Sequence, residues 1–173
     1  MSFTYGQRPG DLLILMTLGI LLWAWLSARL GERRAWRLGN LALLLAVVWA
    51  IVHATLLWSR EAGERRALLE PFQTLRLAKL YPELYREMFM NILLFFPLGL
   101  TLPQVLSRGS RAQRLALTVL LGVALSLLVE GGQYYWGLGV AETDDVLCNT
   151  LGTLVGTLSL PLQKLFRKEK RGP

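Results

Sequence analysis

Five runs of about twenty apolar residues divide this chain, and no other feature of it constrains the fold so strongly. A helix rises about 1.5 Å per residue, so each run is long enough to cross a hydrocarbon layer about 30 Å thick. The runs are Leu12 to Ala28, Leu38 to Trp58, Met88 to Leu106 (entered from Pro82), Leu115 to about Trp136, and Val146 to Phe166. In 173 residues they leave short connections and no room for a soluble domain of ordinary size. The expectation is an all-α, polytopic transmembrane bundle of about five spans. The first run is not read as a signal peptide, because no A-x-A-like site follows it and Arg8 is offset by Asp11.

The net charge of +7 would suit nucleic acid if the basic residues formed one patch. They cluster instead at the ends of the apolar runs, which sets orientation and excludes a nucleic-acid partner. Arg29, Arg33, Arg34 and Arg37 fill the first connection, and Arg108, Arg111 and Arg114 the third. Lys164, Arg167, Lys168, Lys170 and Arg171 fill the tail, so 12 of the 19 basic residues share one side. The positive-inside rule then places the amino terminus outside and the carboxyl tail in the cytoplasm. The chain divides into residues 1–68 (two spans and the start of an external loop), a core at 69–160, and a basic tail at 161–173. Within the external loop, Leu75, Leu77, Leu80 and Tyr81 with Arg76 and Lys79 suit the headgroup plane.

Polar groups inside the spans carry the functional signal, since an ionisable group at mid-membrane costs at least about 2.5 kcal/mol. Measured from the outer ends of the runs, Asn91 lies roughly 5 Å deep, Asn149 about 6 Å, His53 about 8 Å and Glu130 about 9 Å. All fall in the outer third, although the spans alternate in direction. Gly122, Ser126, Glu130 and Gln133 share one face of the fourth run, and Asp145, Asn149, Gly152 and Gly156 one face of the fifth. Two small-residue faces predict close approach of these runs, with Glu130 and Gln133 beside Asp145 and Asn149. Thr143 or Asp144 is placed to cap the fifth helix, and Pro97 to kink the third beside Asn91. The competing reading of the whole set is a hydrogen-bonded clasp that only fixes helix register. With one histidine, His53, and one cysteine, Cys148, the sequence suggests no metal site, disulfide or cofactor.

Asn91-Ile-Leu-Leu-Phe-Phe-Pro97-Leu-Gly99, Glu130-Gly-Gly-Gln133 and Asp144-Asp145-Val-Leu-Cys-Asn149-Thr150-Leu-Gly152, preceded by Leu69-Glu-Pro71-Phe72, resemble the VanZ-like family of bacterial membrane proteins. The resemblance covers about Leu69 to Gly156. Many members carry an arginine shortly before the aspartate pair; Gly137 to Glu142 here has none, so an anion-binding role for it does not carry over. The resemblance implies a multi-pass protein of the bacterial plasma membrane and an association with low-level teicoplanin resistance, without naming a reaction.

The expected function is binding or handling an extracytoplasmic ligand, a lipid headgroup or amphipathic antibiotic, in a polar cavity open to the outer leaflet. The expected ligand-binding set is Asn91, Glu130, Gln133, Asp144, Asp145 and Asn149, with the lipid bilayer as the other partner. Three rivals stand beside it: an enzyme using Glu130 as catalytic general acid or base, a structural or accessory subunit, and a proton-coupled transporter.

Overall fold

Backbone groups in hydrocarbon must be satisfied internally, which leaves long helices as the natural form for the apolar runs. The computed structural model describes residues 17–19, 33–57, 63, 65–106 and 108–168, with side chains at 160–168 and 33–37 outside the description. The first apolar run, Leu12 to Ala28, lies outside the described residues except at 17–19. The elements in order are α1 (Arg33–Val52), a π-turn (His53–Leu57), β1 (Arg66–Leu68), α2 (Gln73–Leu77), α3 (Glu83–Val105), α4 (Arg111–Trp136), β2 (Val140–Glu142) and α5 (Thr143–Lys168). Among the described residues, three helices are long and apolar enough to cross a membrane: Leu38–Leu57, Glu83–Val105 and Arg111–Trp136. Helix α5, with the expected fifth run inside it, is 26 residues long.

Local chemistry sets the ends of these helices. Ser110 and Gln113 form a reciprocal capping box at the start of α4, with Ser110 Oγ accepting from Gln113 N at 3.2 Å. Gly137 ends α4 in the left-handed region (φ 65°), and Leu138 N donates to Gln133 O at 2.9 Å. Helix α3 runs unbroken through Pro97 and Pro103. Thr101 Oγ1 turns back to the carbonyl of Pro97 at 2.9 Å, so the hydroxyl is satisfied within the helix.

Helices α3 and α5 pack most closely, and glycine makes this possible. A Cβ on Gly152 would collide with the carbonyl of Ile92, one on Gly156 with that of Phe96, and one on Gly99 with that of Thr153. This corrects the expected pairing of small-residue faces. The Gly152–Gly156 stripe meets α3; what α5 turns toward α4 is Thr153, 2.7 Å from where a Cβ on Gly122 would sit. Successive helical residues are turned by about 100°, so Gly152 and Thr153 address different neighbours. Val47, Ile51, Phe95, Leu98 and Val129 fill the apolar core between α1, α3 and α4.

At one end of the bundle the two connections meet. β1 and β2 pair in parallel, with Arg66 opposite Val140, Ala67 opposite Ala141 and Leu68 opposite Glu142. Gly63 N also donates to Gly137 O at 2.8 Å. The loop before α3 and the loop after α4 are therefore on the same side, as an antiparallel pair of spans requires.

Candidate functional site

The polar side chains gather beneath this paired layer. Glu130, only 7% exposed near the end of α4, accepts a hydrogen bond from Glu142 N at 2.9 Å through Oε2. The carboxylate thereby anchors the last residue of β2. Glu142 in turn accepts from Thr74 Oγ1 of α2 at 2.5 Å, tying the loop before α3 to the loop after α4.

Asp144 carries the longest reach. It is buried in the first turn of α5, and its two oxygens accept from Phe72 N at 2.5 Å and Leu75 N at 3.2 Å. Those amides open α2, a five-residue helix with no side-chain cap of its own. Asp144, one of the two residues expected to cap α5, thus caps another helix, 72 residues earlier in the chain. It also helps to hold Phe72 in the left-handed region at φ 62°, a conformation that costs a non-glycine residue about 1–2 kcal/mol.

Asp145 is placed differently. It is half-buried on the first turn of α5, just ahead of the apolar run that begins at Val146, and the Asn91 side chain of α3 hydrogen-bonds to it. Burial, and then the like charge of Glu142, push its carboxyl from 3.8 up to about 7. The Asn91 bond acts in the opposite direction, while Glu87 and Asp144 add to the rise. These three carboxylates share its sign.

One turn deeper, Asn149 is 3% exposed and donates from Nδ2 to Ser126 Oγ of α4 at 2.9 Å. Its Oδ1 is buried with no hydrogen-bond partner among the described residues. Gln133 turns toward α1, with Nε2 3.4 Å from the carbonyl of Thr55 in the π-turn. His53, in the same turn, stacks on Trp49 with ring centroids 4.8 Å apart.

The expected set is therefore resolved into distinct tasks. Asn91 meets Asp145, Asn149 meets the Ser126 stripe, Glu130 and Asp144 hold loops, and Gln133 secures the end of α1. Sequence reasoning missed Glu142, Thr74 and Glu87. The first and last carried a signal, since Glu142 opens a four-residue stretch with three acids and Glu87 lies one turn before Asn91. Thr74 carried none. Among the described residues no group of three or more His, Cys, Asp and Glu is disposed to hold a metal ion.

Apolar helices of membrane-spanning length, with acids and amides collected under one loop layer, define an integral membrane protein embedded in a lipid bilayer. The model of the VanZ/LLP1 family matches residues 40–166, and the chain belongs to that family. Comparison with curated proteins gives no match, and neither does comparison with solved structures.

Proposed function

We propose that this chain is a multi-pass protein of a bacterial plasma membrane that binds an extracytoplasmic ligand, a lipid headgroup or an amphipathic envelope molecule, at its outer polar end. The orientation is amino terminus outside and carboxyl tail inside, with five spans. A reporter fused after Arg111 reads cytoplasmic on this reading and external if the orientation is wrong. Through that ligand the protein affects susceptibility to teicoplanin-type glycopeptides.

One observation carries the binding reading: the contrast between Asp145 and the acids around it. Asp144, Glu142 and Glu130 each accept a hydrogen bond that holds a loop. Asp145 has a neutral partner, Asn91, and like-charged neighbours, in a site that is only half-buried. A clasp gains nothing from a carboxylate there, because an amide would avoid both desolvation and repulsion. A ligand site gains a group whose charge is used when the ligand arrives. The enzymatic alternative has less support, since Glu130 Oε2 is already engaged by Glu142 N.

The test is Asp145→Asn in a strain lacking the native gene, read by glycopeptide susceptibility or by the phenotype of the deletion. Binding predicts loss of function with undiminished accumulation and an unfolding temperature that is unchanged or raised. Full function in a stable Asp145→Asn protein would leave only the clasp.

A further inference from the structure

Resting on the binding reading above, the chemistry of the ligand can be taken one step further from the atoms left unsatisfied. Glu142, Glu87 and Asp144 each add like charge at Asp145, which disfavours an anionic group entering here. The stretch from Gly137 to Asp145 contains no lysine or arginine to offset them. A bare metal ion also fits poorly, because no group of three such ligands converges among the described residues. An organic cation is the remaining charged class.

A second observation, independent of the acids, points the same way. Asn149 lies on α5 between Gly152, which meets α3, and Thr153, which meets α4. Its Nδ2 is given to Ser126 of α4, and its unpartnered Oδ1 is buried one helical turn along α5 from Asp145. A buried carbonyl oxygen without a donor costs about 1–3 kcal/mol, and a ligand N–H supplies what it lacks. Asn91 spends its amide N–H on Asp145, which leaves its own carbonyl oxygen as another acceptor. Carboxylate and amide oxygens on facing helices suit a group that is positively charged and rich in N–H.

We infer that the site takes a primary ammonium group, with Asp145 as its counter-ion and the carbonyl oxygens of Asn149 and Asn91 as hydrogen-bond acceptors. The ammonium belongs either to a lipid headgroup in the outer leaflet or to a water-soluble amine.

The experiment uses the full chain in phosphatidylcholine nanodiscs, doped with either phosphatidylethanolamine or phosphatidylglycerol, and counts retained lipid by native mass spectrometry. Preference for phosphatidylethanolamine of about tenfold or more, the equivalent of one charge-assisted hydrogen bond, is expected for the native protein. Asp145→Asn abolishes the preference and Asn149→Ala weakens it several-fold, while Glu70→Gln, an exposed acid paired with Arg76, leaves it intact. O-phosphoethanolamine is then titrated against the retained lipid. Its failure to displace assigns the amine to a lipid, and displacement or binding in its own right assigns it to a soluble source; both agree with the ammonium site. Retention of phosphatidylglycerol equal to phosphatidylethanolamine, both lost in Asp145→Asn, overturns the ammonium claim and leaves headgroup binding in place. Binding of lipid and soluble amine that is indifferent to Asp145→Asn and Asn149→Ala overturns both.

Discussion

Replacing Asp144 by alanine isolates a contact that joins the two loops paired at one end of the bundle. The substitution removes both oxygens that receive the Phe72 and Leu75 amides at the start of α2. Hydrogen bonds to a charged acceptor contribute about 1.5–3 kcal/mol each, and loss of a helix cap costs about 0.5–2 kcal/mol. Water re-solvates part of what is lost, because Phe72 is 56% exposed, so the net local cost is about 2 kcal/mol. Helix α2 has five residues and cannot persist alone. Phe72 is also released from its left-handed backbone, which favours the open state further. A loss of about 2 kcal/mol corresponds to roughly 30-fold faster opening, read as hydrogen exchange of the amides that close this turn. These are Arg76 N, which donates to Phe72 O, and Ala78 N, which donates to Thr74 O. Asp144→Asn, which keeps an acceptor oxygen without the charge, should fall between the two. Adding Phe72→Gly to Asp144→Ala should recover part of the loss by removing the strain. Unchanged exchange at Arg76 and Ala78 in Asp144→Ala would refute the capping role, as would acceleration spread evenly over α3 and α4.

Gly152→Ala should destabilise by at least about 1–3 kcal/mol, because its Cβ meets the backbone of Ile92; Gly131→Ala, with nothing within 4 Å, should be neutral or stabilising. Thermal unfolding in detergent compares them, and equal effects would contradict the α3–α5 packing. Stability should fall as pH rises from about 4 to about 7, since the folded protein holds the Asp145 proton (about 7) more tightly than the unfolded chain (3.8). The contribution is about 1–3 kcal/mol after allowance for solvent at a half-buried group, and Asp145→Asn should remove it. A pH profile unaltered by that substitution would argue against the proposed surroundings of Asp145. Glu130→Leu should cost about 1–3 kcal/mol by stranding Glu142 N, whereas Glu130→Gln retains an acceptor and should remain close to the native unfolding temperature. A Glu130→Gln protein as unstable as Glu130→Leu would show that the charge, and not the acceptor, holds β2.

The long helices were legible because apolar length alone dictates them, and the gathering of Asn91, Glu130 and Asn149 toward one end of the bundle followed from rise per residue. Asn149 does lie against the Ser126 face of α4, as helical spacing suggested. Spacing gives a face but not the neighbour that the face meets, so sequence alone pairs the glycine stripe with α4, whereas its partner in the fold is α3. The loop layer was less legible for a related reason. The Asp144–Phe72, Glu142–Thr74 and Leu68–Glu142 pairings each join residues about seventy apart, and nothing local in either loop records the other. A three-residue strand such as Arg66–Leu68 has too little length to show an alternating pattern. Asp144 shows how far this matters: an acid in a first turn reads as a cap for its own helix, and only the folded chain reveals the amides it serves.

The central claim is that the half-buried Asp145 carboxylate, with Asn91 beside it and the Asn149 oxygen beneath, receives a ligand from the outer side of the membrane. A high-resolution structure of the protein in nanodiscs of native membrane lipid tests this most directly. The account predicts ordered non-protein density within hydrogen-bonding distance of Asp145, extending toward Asn149 Oδ1. A closed cluster, with Asp145 and Asn149 Oδ1 both satisfied by the protein's own side chains and no density beside them, would contradict it.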